Sequence, residues 1–371
     1  ASNPTQADFL FDPREALAAL ADPRALTYQP DPHGLRLARD AVAGYYAGRG
    51  VRVDPQQVFL TASTSEAYSY LFRLLADPGH RVLVPRPSYP LFEYLARLDD
   101  VELTPYPLAY HQEWRIDFDG LRAGLAGWSA GRPGARSPAR AVLLVHPNNP
   151  TGSFVHQSEL APLVSLAAGH GVALIADEVF ADYAFEARPS EDPPVPSFGA
   201  TTGVLTFTLS GLSKLAALPQ MKLAWIVASG PADALQAAIA RLEVIADTYL
   251  SVSAPLAHAL PRWLEMGTQM RARIMERVQG NLRRLDEQMA RTPGTPVSRL
   301  ATEGGWYAIL RVPATRPDED WAVELVRQDG VLVHPGHFYD FPRDGYLVVS
   351  LLPPPDAFER GVGAILARLS A

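Results

Sequence analysis

Four short apolar runs, each ending in a polar cluster, constrain this chain most. VFLT (58–61) precedes Ala62-Ser63-Thr64-Ser65, and AVLLV (141–145) precedes His146-Pro-Asn-Asn149-Pro-Thr-Gly152. VALIA (172–176) runs into Asp177, and VLTFTL (204–209) leads to Ser210-Gly-Leu-Ser-Lys214. A continuous apolar run of this length suits a parallel strand buried on both faces. Between the runs lie segments of helical period: LRLARDAVAGYYAGRG from Leu35, SEAYSYLFRLLADPG, LFEYLARL and ELAPLVSLAAGHG. Strand alternating with helix predicts an α/β fold with a mostly parallel, doubly wound sheet. Ligands of such sheets collect outside the carboxyl ends of the strands. Ser63, Asn149, Asp177 and Lys214 are therefore expected to converge on one rim.

The flanking segments complete the expected organisation. The first forty residues read as loop-rich, and Ala126–Arg140 as a surface loop. A long helical region is expected from Pro231 to Arg291, broken at Tyr249–Pro255. The last eighty residues read as a small α/β unit. A chain of 371 residues exceeds what one growing core accommodates. The expected division is an N-terminal segment with part of the small domain (1–45), a large domain (46–260) and a small C-terminal domain (261–371).

Composition excludes several function classes. Net charge is −7, and no basic cluster is set among aromatics, which disfavours nucleic-acid binding. No apolar run reaches the roughly 18 residues of a membrane span, and no secretory leader is visible. Cysteine is absent, removing disulfides, thiolate chemistry and cysteine zinc sites, and no metal site is expected. These features suit a soluble cytoplasmic protein.

Only two of the 33 basic residues are lysines, Lys214 and Lys222; the rest are arginines. Arginine can serve wherever a charge or a hydrogen-bond fork is needed, but it does not condense with an aldehyde. A desolvated amine does so, forming a Schiff base. The polar clusters supply the rest of a pyridoxal phosphate site. Asp177 would pair with the pyridine nitrogen and keep the ring an electron sink. Asn149 would donate to the phenolic oxygen. Ser63, Thr64 and Ser65, at a strand-to-helix junction, could hold the phosphate at the positive helix end, although each also suits simple capping. Tyr89 could stack on the ring.

With TASTSEA, RPSYP, HPNNPTG, DEVFADY, SGLSK, GGWY and VLVHPGHF in this order, the chain resembles the class I/II aminotransferase family of fold-type I pyridoxal-phosphate enzymes from Asn3 onward. The resemblance implies a large domain around the mostly parallel sheet and a smaller α/β domain made from both chain ends. It implies that Lys214 forms the Schiff base and shuttles the α-proton while an amino group passes from an amino acid to a 2-oxo acid in a ping-pong cycle. Tyr28 would reach the phosphate of a partner subunit in a homodimer with shared sites, and Ser251 and Ser253 lie in a segment that often approaches the partner's coenzyme. Asn3 would line the substrate pocket, with an N-terminal arm expected before it. Trp306 joins the substrate candidates.

Four departures mark a divergent branch. Phe180 stands where the family usually has a tyrosine donating to the phenolic oxygen. Gly211 replaces a phosphate-binding serine, leaving Ser210 or Ser213 to compensate. Lys222 replaces an arginine on the phosphate. Val348, in Tyr346-Leu-Val-Val-Ser350, replaces the arginine that forks onto the substrate carboxylate, which makes Arg86 and Arg311 the candidates for that task. A β-elimination lyase or decarboxylase shares the same carbanion, and a non-catalytic coenzyme-binding regulator is the alternative of another class.

Overall fold

The computed structural model describes residues 3–126, 137–185 and 191–370. AVLLV and ALIAD are buried along their whole length, because each pairs with strands on both sides and is covered on both faces. They belong to an eight-stranded sheet built from β1 (Val58–Thr61), β2 (Arg81–Arg86), β3 (Glu102–Tyr110), β4 (Trp114–Ile116), β5 (Ala139–Val145), β6 (Ala173–Asp177), β7 (Thr206–Gly211) and β8 (Ala224–Ser229). The spatial order is β1-β8-β7-β6-β5-β2-β3-β4. β3, β2, β5, β6 and β7 are mutually parallel. β8 runs against both β7 and β1, so β1 points the same way as the parallel block. The carboxyl ends of β1, β5, β6 and β7 thus share one rim.

Eleven helices frame the described sheets. α1 (Pro13–Ala18), α2 (Arg36–Ala47), α3 (Thr64–Leu75), α4 (Leu91–Leu98), α5 (Phe118–Leu125) and α6 (Gln157–His170) come first. α7 (Leu212–Leu215), α8 (Ala232–Tyr249), α9 (Ala254–Arg291), α10 (Asp318–Glu324) and α11 (Pro355–Ser370) follow. Side chains alternate across the sheet, as the period of a strand requires. Leu143, Ile175 and Phe207 pack under Leu71 and Phe72 of α3 and Leu242 of α8. Val142, Leu144 and Leu174 pack under Leu121 of α5 and Leu163 of α6.

A second, antiparallel sheet has the order β11-β12-β10-β9, from β9 (Ser298–Arg299), β10 (Tyr307–Arg311), β11 (His334–Pro335) and β12 (Tyr346–Ser350). α9 joins the two sheets. Its Leu260 and Trp263 pack with α2, β1 and β8, whereas its Ile274, Val278 and Leu285 pack with β10 and β12. The expected boundary at 260/261 falls inside this continuous helix. Ala7 and Phe9 join the small-sheet core, while Ala38, Val42 and Tyr46 join the large one.

Local structure departs from the loop-rich reading of the first forty residues. α1 lies within the supposed loop region: Asp12 accepts from Arg14 N at 2.8 Å and Pro13 opens the helix, a start signal present in the sequence. The run through DEVFADY is strand only to Asp177, after which Ala181–Tyr183 forms a 3₁₀ turn. VLVHPG supplies only a two-residue strand. Most of the surface loop expected at Ala126–Arg140 lies outside the described residues.

One ion pair ties the loop before β10 to the large sheet. His156 Nε2 lies 2.8 Å from Glu303 Oε1, off the direction of a linear hydrogen bond, and its Nδ1 is 2.7 Å from the Asp192 carbonyl oxygen. Burial alone would lower the His156 pKa, but the Glu303 carboxylate outweighs it and holds the imidazole above its ordinary value. A raised folded pKa stabilises fully below the unfolded value of about 6.5 and loses that effect as pH rises through the folded value. The stability lost in Glu303→Gln, measured by urea unfolding, should therefore be greatest near pH 5.5 and shrink above neutrality; a pH-independent difference would contradict it.

Candidate active site

Between the rim of the large sheet and the small sheet lies a cavity of about 370 Å³. From the large sheet it receives Thr64 and Ser65 after β1, Asn149 after β5, Asp177 at the end of β6, and Ser213 and Lys214 after β7. Tyr307, His334 and Tyr339 contribute from the small-sheet side, and Tyr89 and Phe180 also line it. The convergence expected from strand ends is realised for Asn149, Asp177 and Lys214, with Thr64 and Ser65 standing for the first cluster.

Asp177 is buried, and burial raises its pKa above the usual carboxylate range. Its Oδ2 accepts from Tyr68 Oη at 2.8 Å and its Oδ1 from Val179 N at 3.1 Å; both bonds, with the Lys214 charge, favour the ionised form. Tyr68 escaped the sequence reading. Its signal was its spacing from Thr64 and Ser65, which places all three on one face of α3.

Lys214 sits on the single turn α7, where Tyr183 Oη donates to the Lys214 carbonyl oxygen at 2.8 Å. Its Nζ lies 5.5 Å from the Phe180 ring centroid and 5.2 Å from that of Trp306. Burial lowers the amine's pKa and the Asp177 charge opposes this. Trp306 is fully buried beneath Phe180 and Tyr183, with Nε1 unpaired, and does not line the cavity.

The two asparagines of HPNNPTG divide their work. Asn148 Nδ2 donates to the Pro87 carbonyl oxygen at 3.0 Å and to Thr151 Oγ1 at 2.9 Å, while its Oδ1 accepts from Ser88 Oγ at 3.0 Å. That clamp locks the turn to the RPSYP loop and leaves Asn149 facing the cavity, its Oδ1 buried without a partner. Gly152, at φ +70°, is irreplaceable there: a Cβ would lie 2.0 Å from Thr302 Oγ1 and 2.4 Å from the Gly304 carbonyl oxygen.

Ser63 caps α3, its Oγ accepting from Glu66 N at 3.1 Å. Gly211 is closed to any side chain, since a Cβ would meet Ala224 Cβ of β8 at 2.7 Å. Ser210 Oγ is buried and unpaired but lies outside the lining, and Lys222 is exposed at a left-handed φ of 48°. Tyr28 is 82% exposed on a separate cleft that also holds Ser251 and Ser253. Asn3 caps its own turn by accepting from Thr5 N at 3.1 Å. Neither carboxylate candidate reaches the lining: Arg86 Nε donates to the Asp340 carbonyl oxygen at 2.7 Å, and Arg311 is exposed with Cζ 5.9 Å from the Tyr110 ring centroid. His334, absent from the sequence candidates, does line it.

Because the chain holds only two lysines, the Lys214 amine can be observed directly. In coenzyme-free protein labelled with ¹³Cε-lysine, the resonance lost in Lys214→Arg should titrate below the ordinary lysine value of about 10.4. Asp177→Asn should lower that midpoint further, because among the described residues it removes the charge that favours the ammonium. An upward shift would contradict the assignment.

Known proteins match this arrangement. The family model for class I and II aminotransferases matches residues 3–364. Glutamate-pyruvate aminotransferase AlaA of Escherichia coli is 26% identical over 350 residues, covering 92% of this chain and 82% of the relative. The S-alkyl-thiohydroximate lyase SUR1 of Arabidopsis thaliana is also 26% identical, over 82% of this chain and 64% of its own length. The alanine aminotransferase structure from Pyrococcus furiosus shares the fold with a TM-score of 0.85 at 21% identity, covering 100% of this chain and 91% of that one. A family match across nearly the whole chain, on a sheet whose strand ends gather a half-buried lysine and a buried aspartate, leads to one conclusion: the chain belongs to the class I and II aminotransferase family and is an aminotransferase.

Proposed function

We propose that the cavity binds pyridoxal 5′-phosphate and that the protein transfers an amino group from an amino acid to a 2-oxo acid through Lys214. The observation that carries this reading is the meeting of Lys214, Asp177 and Asn149 in one cavity with the amino end of α3. The residues present fit such a coenzyme. Asn149 lines the space with a side-chain amide whose N–H would donate to the phenolic oxygen, and the first turn of a 12-residue helix opens beside it with Thr64 and Ser65.

When bound, the coenzyme supplies an aldehyde and an electron-withdrawing ring. Lys214 would carry the aldehyde and later move a proton at the substrate α-carbon. Its depressed pKa makes the neutral amine accessible for both tasks. Asp177, whose ionised form Tyr68 and the Val179 amide favour against burial, would face the ring nitrogen and keep its proton in place. Asn149 would serve the phenolic oxygen without a tyrosine's help, since Phe180 has no donor. Thr64 and Ser65 would hold the phosphate, with Ser63 supporting them as cap. Tyr89 would cover the ring. The reading assigns these ligands to the unit expected over 46–260. It also includes a cytoplasmic homodimer, supported by the absence of cysteine and by the exposed Tyr28.

Likeness to a lyase favours a second reading, β-elimination, in which the proton leaves the same α-carbon and the leaving group departs from the β-carbon. It would release product from a sulfur-bearing amino acid without any 2-oxo acid acceptor. Under the first reading turnover requires the acceptor. Borohydride reduction of the coenzyme-loaded protein should fix the coenzyme on the peptide containing Lys214. Lys214→Ala should abolish that adduct and lower transamination by at least about 10²–10⁴-fold. Coenzyme attached at Lys222, or full activity in Lys214→Ala, would overturn the assignment.

A further inference from the structure

An amino acid and a 2-oxo acid both bring a carboxylate into the cavity, and a desolvated carboxylate needs a cation or strong donors to meet it. Among the described residues that line the cavity there is no arginine. Besides Lys214, which the proposed reaction occupies, the one lining side chain able to carry positive charge is His334.

Its place in the small sheet is telling. In the register of β11 and β12, His334 lies opposite Val348, and Val348 lies opposite Ile309 on the other side. Val348 is buried in the apolar core of this sheet, so no charge can come from that position. The neighbouring strand instead presents an imidazole to the cavity. Tyr339 fixes it: the phenol oxygen lies 3.0 Å from His334 Nδ1. Burial pushes the Tyr339 pKa far above its ordinary value, so the phenol keeps its proton and is able to donate it to Nδ1. In the tautomer in which the phenol donates to Nδ1 the imidazole proton resides on Nε2, and burial lowers the His334 pKa, which favours this neutral donor. Tyr307, whose phenol is held protonated by burial with a pKa pushed up to about 12, lines the same wall as a second donor.

We propose that His334, oriented by Tyr339 and assisted by Tyr307, recognises the substrate carboxylate and is the specificity-determining residue of this aminotransferase. The inference rests on the proposed coenzyme reading, because it assumes that Lys214 is engaged. It assigns recognition to a neutral-or-charged donor on β11 instead of a guanidinium fork.

The test uses the coenzyme-loaded enzyme in single half-reactions, followed by the coenzyme's absorbance. Two donors are compared: the fastest of the twenty amino acids, and the amine that lacks only its carboxylate. His334→Ala should raise KM for the amino acid about 10- to 100-fold, the range expected for a lost hydrogen bond to a charged group. KM for the matched amine should change less than about threefold, so that the mutation erases the preference instead of the activity. Tyr339→Phe should move the amino-acid KM in the same direction by a smaller factor, and it keeps the proposal testable if His334→Ala does not fold. His334→Arg should recover part of the preference. Equal losses for both donors, an amino-acid KM that rises in Arg86→Ala or Arg311→Ala but not in His334→Ala, or a wild-type enzyme that reacts with amines and with no amino acid would each overturn the proposal. Borohydride labelling of Lys214 in every variant separates the two readings: an unlabelled wild type overturns both, whereas a labelled enzyme with equal losses overturns only this one.

Discussion

The rest of the site depends on burying Lys214 and Asp177 at one rim of the sheet. Removing an ion from water costs several kcal/mol even after the surroundings relax. Here the carboxylate is compensated by Tyr68 and the Val179 amide, and the amine by the Asp177 charge and two aromatic faces. Apolar residues of similar volume would often be at least as stable there. The pair therefore makes sense as chemistry: an amine whose proton affinity burial lowers, set beside a carboxylate whose proton affinity burial raises. Tyr68 and Tyr183 are the supports, one holding the carboxylate and the other the backbone that carries the amine.

The same economy of space governs the turns around the cavity. Gly152 approaches Thr302 and Gly304 too closely for any side chain, which brings the HPNNPTG turn against the loop before β10. Gly211 is pressed against Ala224 in the neighbouring strand, so a serine cannot be accommodated without moving β8. This departure is thus a packing decision made by the sheet edge. Asn148 is consumed by the clamp to RPSYP, and its neighbour Asn149 is left with an unpaired atom toward the cavity. Adjacent and chemically identical residues take opposite roles because only one of them points into the protein's own hydrogen-bond network.

Much of this was legible in the residues. Apolar runs ending in polar clusters located the rim, because a strand's last residue and the loop after it must emerge at the sheet's carboxyl edge. The rarity of lysine singled out Lys214, since an amine can do what guanidinium cannot. The same rarity gave equal weight to Lys222, which the fold leaves exposed outside the cavity lining. Arg86 and Arg311 were chosen by motif position, yet one turns to a backbone carbonyl and the other to solvent beside Tyr110. Tyr68 could have been found from helical spacing. His334 could not, because its relation to Val348 is a cross-strand register between segments joined by a turn and a loop.

Local pattern by itself determined most of the order of strands and helices, which amine and which carboxylate end up at the rim, and the family. Each of these depends on residues adjacent in the chain or on a periodicity of two or 3.6 residues. The tertiary structure alone decided which polar side chains line the cavity and which arginines stay out of it. Those properties depend on side chains from β10 and β11 meeting the rim of a sheet whose last strand ends about 80 residues before β10. No local pattern encodes the direction in which an arginine turns once its neighbours have packed.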